Sequence, residues 1–255
     1  PRSTARSAGA CWAPWAPPPP IKGRISGRAW LQLDHGKFTT LTADVAGRGI
    51  GWTAAADGPA VRSGYAQLRI EGTPGDFIES DSVPLARSPG AANLSVKGRV
   101  EQLRAALPGV FEQPELVADE LALDAQTKGA DAKNWFVDVG QLRVANSDLD
   151  VRLQGQWRKE GKSGAGSVDM RGTLVRGKMN AIHRYLPLEV NADAREWLAT
   201  GLPAGQMESA AITLKGDLDE FPFGAPGSTG EFVIAGAYSG CLLYTSPSPR
   251  DQRGS

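Results

Sequence analysis

Leu149-Asp150-Val151-Arg152-Leu153-Gln154-Gly155-Gln156-Trp157 decides how the rest of the chain is read. On an extended backbone Leu149, Val151, Leu153 and Trp157 fall on one side, with Gly155 between the last two, and Asp150, Arg152, Gln154 and Gln156 fall on the other. Side chains of a strand alternate with a period of two, so this segment is a half-buried strand with one apolar face. The alternation recurs at Ala29, Leu31 and Leu33, at Ala66, Leu68 and Ile70, and at Trp135, Val137 and Val139. It returns at Val168, Met170 and Leu174 and at Ala210, Ile212, Leu214 and Leu218. Turn-forming residues separate the runs, as at Asn146–Asp148 and Gly161–Gly166.

A parallel sheet buried on both faces would show continuous apolar runs with a crossover helix between successive strands. Neither is present, and the pattern predicts a mainly β fold built as a long antiparallel meander. Such a sheet hides its apolar face by closing into a barrel, stacking as a sandwich or curling around a ligand. Alternation fits a packed β core and an open groove equally. Two short helices are also expected. Asp193–Thr200 opens on an Asp-x-x-Glu capping pattern, Asp193 with Glu196, and stops before Gly201 and Pro203. Val100–Leu107 is the weaker of the two, ended by Pro108 and Gly109.

Composition excludes several functions. Lys and Arg number 28 against 28 Asp and Glu, so no basic excess points to nucleic acid or to an anionic membrane surface. The two cysteines, Cys11 and Cys241, lie near opposite ends and form neither a disulfide framework nor a CxxC site. No run approaches the roughly eighteen apolar residues that a membrane-spanning helix needs.

Catalytic chemistry finds little to work with. His35 and His183 lie far apart in sequence, and no HExxH or cysteine pair adds ligands for zinc, so no metal residues and no cofactor are assigned. Gly47-x-Gly49-x-Gly51 lacks both the GxGxxG spacing and a Walker lysine; glycines at such positions in a strand mark a bulge or a close backbone approach. Gly164-Ala165-Gly166-Ser167 is not a nucleophile elbow. The acidic pairs Asp119 with Glu120 and Asp217 with Asp219 read as wet-face or turn residues. No catalytic residue is assigned, and the chain reads as no enzyme.

The most distinctive stretch runs from Arg176 to Phe223. It carries Ile182-His183-Arg184-Tyr185-Leu186-Pro187, then Glu196-Trp197-Leu198, Gly205-Gln206-Met207, Leu214-Lys215-Gly216-Asp217-Leu218 and Phe221-Pro222-Phe223. Upstream come Leu142-Arg143-Val144-Ala145-Asn146-Ser147-Asp148 and Gly155-Gln156-Trp157. This series resembles the signature of the YhdP-type branch of the AsmA-like proteins, over roughly Gly27 to Tyr238. The resemblance implies a curled, groove-like antiparallel sheet in the periplasmic portion of a long protein anchored in the inner membrane of a Gram-negative bacterium. It also implies non-enzymatic transfer of phospholipids toward the outer membrane, the partners being acyl chains, the two membranes and other envelope proteins. Leu149, Val151, Leu153, Trp157, Ile212 and Leu214 are the lipid-groove candidates. Tyr185, Leu186, Pro187, Trp197, Leu198, Gly216, Phe221, Pro222 and Phe223 are expected to pack the short helix and the strand ends. The rival reading is a cell-envelope assembly protein that binds partners through its sheet edges without moving lipid.

Four segments are expected: a Pro/Ala-rich tail over 1–20, an amphipathic sheet over 21–175, a β region with the short helix over 176–240, and a tail over 241–255. The run from Cys241 to Asp251 resembles the conceptual translation of a transposase sequencing adapter, so that last segment is expected to be non-native, and the chain to be an interior slice of a longer protein.

Overall fold

A computed structural model of the protein describes residues 21–35, 37–53, 59–73, 92–128, 134–160, 164–186, 188, 190–221, 223 and 227–242. Ten strands occupy most of them: β1 Lys22–Asp34, β2 Lys37–Thr53, β3 Ala60–Thr73, β4 Asn93–Ala106, β5 Glu115–Thr127, β6 Trp135–Ala145, β7 Leu149–Lys159, β8 Ser167–Lys178, β9 Ala204–Asp217 and β10 Glu231–Leu242. They form one antiparallel sheet in strict chain order, so each strand pairs with its neighbours in sequence and β1 does not meet β10. The sheet is open, as a meander that never returns on itself must be.

Local chemistry explains the hairpins. Between β6 and β7 the Asn146 side-chain oxygen accepts from the backbone N–H of Asp148 at 2.8 Å and of Leu149 at 2.9 Å, which reverses the chain as an Asx turn. Between β1 and β2, Asp34 pairs with Lys37 and His35 takes φ 48°, the left-handed conformation that a two-residue hairpin demands. Between β4 and β5, Pro108–Val110 make the turn and Leu107 N–H donates to Pro114 O at 2.7 Å.

Register aligns the apolar residues into rows that cross the sheet at right angles to the strands. One row reads Ile25, Gly47, Ala66, Val100, Leu121, Val144, Val151, Leu174, Ala210 from β1 to β9. The next reads Gly27, Val45, Leu68, Gly98, Leu123, Leu142, Leu153, Gly172, Ile212, Ile234. A third runs from Ala29 through Val96, Val139 and Met170 to Leu214 and Phe232. The intervening positions carry charge, among them Asp44, Arg69, Lys97 and Asp124 side by side on β2 to β5. A slip of one residue in any strand would put its apolar set among these charges, which is why the register is firmly specified.

The expected helix over Val100–Leu107 is not formed, and those residues complete β4. Gln102 takes φ 53°, and the burial alternation changes phase there: Val96, Gly98 and Val100 are shielded on one side of it, Leu103 and Ala105 on the other. Apolar residues at Val100, Leu103 and Leu107 then mimic a helical period in what is an irregular strand. The irregularity is shared by its neighbours, where Gly49 of β2 takes φ 60° and buried Ser63 replaces the even-numbered phase of β3.

Among the described residues one α-helix forms, α1, spanning Ala192–Gly201. It starts earlier than the Asp193 cap predicts because Asn191 is the N-cap, its side chain accepting from Asp193 N–H at 2.8 Å. Asp193 instead sits in the first turn, where a carboxylate complements the helix dipole. Asn191→Ala should cost about 1 kcal/mol and loosen α1 first, visible as lost amide-exchange protection over residues 195–201.

Candidate functional site

The apolar rows are the feature that the fold positions. All six groove candidates lie on this one face: Val151 and Leu153 in the first and second rows, Ile212 and Leu214 in the second and third. Trp157 falls in a fourth row between Val137 and Val168, and Leu149 lies opposite Gly177, itself opposite Met207. The middle of the sheet is the best shielded. Ala125, Val139, Val168 and Met170 pack together with Leu123, Leu142, Leu153 and Leu214 around them, and Leu174, Ala210 and Ile212 form a second cluster with Leu149, Val151 and Met207. Leu153 belongs to both.

Toward the ends of the strand order the same face opens. Ile25 is 57% exposed, Leu31 44%, Phe232 40% and Ile234 42%. Among the described residues no second sheet covers the rows. The helix α1 packs on the 3-10 segment Met179–Tyr185, which sits against β8 and β9. Two glycines sharpen the surface: a Cβ at Gly155 would strike Asp169 O and one at Gly172 would strike Arg152 O, so neighbouring backbones approach there as only glycine permits.

Both rims are tied by polar latches. At one, the connection from β8 to β9 reaches back over the hairpin ends. Asn146, 8% exposed, donates from Nδ2 to Val117 O at 2.6 Å and to the Tyr185 hydroxyl at 2.9 Å, and that hydroxyl donates to Asp148 Oδ2 at 3.3 Å. Arg184 pairs with Asp148 at 3.0 Å, and Arg176 donates to the carbonyls of Ser147 and Asn146. Leu188 N–H donates to Val110 O at 2.9 Å, and Arg195 pairs with Glu112 at 3.7 Å, which carries the connection as far as the β4–β5 turn. Burial, with Asp148 nearby, raises the Tyr185 hydroxyl above its ordinary range, although the Asn146 hydrogen bond opposes this. At the opposite rim Ala165 N–H donates to Asp219 Oδ1 at 3.0 Å, Leu218 N–H to Gly166 O at 2.9 Å, and the Trp157 indole N–H to Ala165 O at 3.0 Å.

The motif residues lie at these rims. Tyr185 belongs to the first latch; Leu186 N–H donates to His183 O at 3.4 Å; Leu198 is half-buried on α1, whereas Trp197 is 47% exposed. Phe221 stacks edge-on with Phe223 at 5.5 Å and lies 5.6 Å from Phe232. Phe223 crosses Gly216, where a Cβ would stand 2.8 Å from its ring. Pro187 and Pro222 fall outside the described residues. Sequence reasoning missed the contributions of Leu41, Ala43 and Val45 in β2 and of Leu121, Leu123 and Ala125 in β5, although the period of two is present in both.

The charged face is knit by ion pairs. Arg143 contacts Glu120 at 3.0 Å and Asp150 at 2.9 Å, Arg99 reaches Glu101 and Glu120, and Lys97 meets Asp124 at 3.2 Å. The Arg143 hydrogen bond holds the Asp150 carboxyl below its usual range, against an opposing effect of burial. A depressed carboxylate contributes stability above its unfolded pKa and loses it as pH falls through the folded one. Acidification below about pH 4 should therefore lower the melting midpoint more in the wild type than in Asp150→Asn.

Among the described residues no group of His, Cys, Asp and Glu is arranged to hold a metal ion, and no helix is long and apolar enough to cross a membrane. Residues 83–238, more than half of the chain, match the model of the family described as YhdP protein. The chain belongs to the YhdP family. Membership suggests a lipid-transport role of the AsmA-like kind, and the matched stretch holds β4 to β9 and most of β10, including all six groove candidates. No match was found among curated proteins or among solved structures.

Proposed function

We propose that this YhdP-family chain is a non-enzymatic lipid-transfer element, whose apolar rows guide phospholipid acyl chains along a periplasmic path between the inner and outer membranes of a Gram-negative bacterium. It would be the periplasmic portion of an inner-membrane-anchored protein. The supporting observation is the continuity of the second and third rows across all ten strands, on a face that no second sheet covers among the described residues. Strands about 4.8 Å apart make such a row roughly 43 Å long, and one leaflet contributes about 15 Å of a bilayer's hydrocarbon thickness. A chain sliding along the rows keeps its tails out of water, where each methylene would cost about 0.8 kcal/mol. Headgroups stay outside, so the path requires few specific polar contacts.

Native mass spectrometry with lipid extraction, on protein expressed in the periplasm and purified in mild detergent, tests the proposal. Bound phospholipid is the expected result. Well-folded protein without lipid would favour the rival reading, in which the edges of β1 and β10, the outermost of the described strands, recruit envelope proteins.

A further inference from the structure

The corner of the sheet where β1, β2 and β3 reach the rim carries four cations that the ion-pair network leaves out. Arg24 of β1 stands directly opposite Arg48 of β2, and Lys22 lies opposite Gly51, itself opposite Arg62 of β3. All four cations are exposed, and among the described residues none has a carboxylate at ion-pair distance. Like charges directly opposite one another destabilise an antiparallel pair. Like charges also stand opposite one another at Arg69 and Lys97 and at Glu101 and Glu120, but there carboxylates or guanidinium groups of the other sign lie within reach: Arg69 contacts Asp44 and Glu71, Lys97 meets Asp124, and Arg99 reaches both Glu101 and Glu120. Lys215 meets Asp169.

The corner also has a receptacle. A cavity of about 520 Å³ is lined by Lys22, Gly51 and Arg62 together with Ile50, Trp52 and Ser63. Gly51 puts no side chain between the two cations; a Cβ there would touch the Lys22 and Arg62 stems at 3.9 and 4.0 Å. Ile50 and Trp52 are half-buried, and Ser63 is 8% exposed, so shielded and charged positions meet in one cavity at the rim. Its size is that of an ordinary small-ligand site. Guanidinium groups bind phosphate by paired, charge-assisted hydrogen bonds, and a phosphate here would meet Lys22 and Arg62, the two cations that line the cavity, with Arg24 and Arg48 one step along the strands.

We infer that Lys22 and Arg62 in the cavity, with Arg24 and Arg48 beside it, form a phosphate-binding corner at the rim, which holds the headgroup phosphate of a phospholipid whose acyl chains cross the rim to the apolar rows on the other face. The phosphate chemistry stands on the corner itself; its assignment to a lipid rests on the proposed function.

The test is calorimetric titration of the full chain, at fixed ionic strength, with inorganic phosphate and with monomeric dihexanoyl phosphatidylglycerol. The variants are Arg24→Gln/Arg62→Gln and a control of equal charge change, Lys97→Gln/Lys215→Gln, which removes two cations already paired. The wild type should bind both probes, the lipid more tightly. The corner variant should bind each about tenfold more weakly, as loss of charge-assisted contacts predicts, and the control should match the wild type. Equal weakening in the control, or no binding of either probe, overturns the corner. Corner-dependent binding of phosphate with no gain from the acyl chains overturns the lipid assignment alone. Corner-independent lipid binding overturns the corner and leaves the proposed function standing.

Discussion

Asn146→Ala should cost about 3 kcal/mol or more, a large part of the roughly 5–15 kcal/mol that holds a domain of ordinary stability together. The side chain makes four hydrogen bonds from a position that is 8% exposed: to Val117 O in β5, to the Tyr185 hydroxyl, and from the N–H groups of Asp148 and Leu149. Alanine leaves each of those partners short of a bond, and water replaces the lost contacts only by opening the rim. Equilibrium urea unfolding gives the loss, and Tyr185→Phe separates its parts. Phenylalanine keeps the ring and removes only the bonds with Asn146 and Asp148, so it should cost about 1 kcal/mol. The latch is also sensitive to alkali. The Tyr185 pKa is raised in the folded state, so its contribution is complete below the ordinary tyrosine value near about 10 and disappears as pH rises through the folded one. Tyr185→Phe should lose less stability than the wild type between neutral and strongly alkaline pH. A wild-type cost below about 1 kcal/mol for Asn146→Ala would mean that the β8–β9 connection is held by packing rather than by this network.

Much of the architecture was legible in the residues. Leu149, Val151, Leu153 and Trp157 share a face because their spacing is two, and nothing in the tertiary fold alters that. Ile212 and Leu214 reach the same face because β8 and β9 are antiparallel neighbours, as a meander requires. Legibility ended where the backbone leaves the ordinary strand region. A left-handed residue at Gln102 shifts the alternation by one, and β4 then reads as a helix until the pairing of Val100 with Ala66 and Leu121 is known. The start of α1 was misplaced for a related reason: Asn191 and Asp193 are both good caps, and only the backbone bend at Asn191 selects between them. The openness of the sheet was implied by the family resemblance and not by the alternation. Alternation is identical in a barrel and in an open meander, and the difference lies in whether β1 finds β10.

That difference makes a charge on the rows the most informative change for function. Leu153→Asp and Ile212→Asp should reduce copurifying phospholipid at least about tenfold, because an ionised carboxylate must either stay hydrated, interrupting the apolar path, or be buried at several kcal/mol. Both residues belong to packed clusters, so each substitution also lowers stability. Ile234→Asp removes that ambiguity. Ile234 pairs with Ile212 in the second row, yet it is 42% exposed and a carboxylate there keeps its water. It should leave the melting midpoint nearly unchanged while still interrupting the path. Val233→Asp, on the opposite face of the same strand and equally exposed, is the matched control and should retain the lipid of the wild type. If Ile234→Asp and Val233→Asp behave alike, lipid does not travel along the rows. If neither changes lipid content but both abolish recruitment of an envelope protein, the edge of β10 rather than its apolar face is the functional surface.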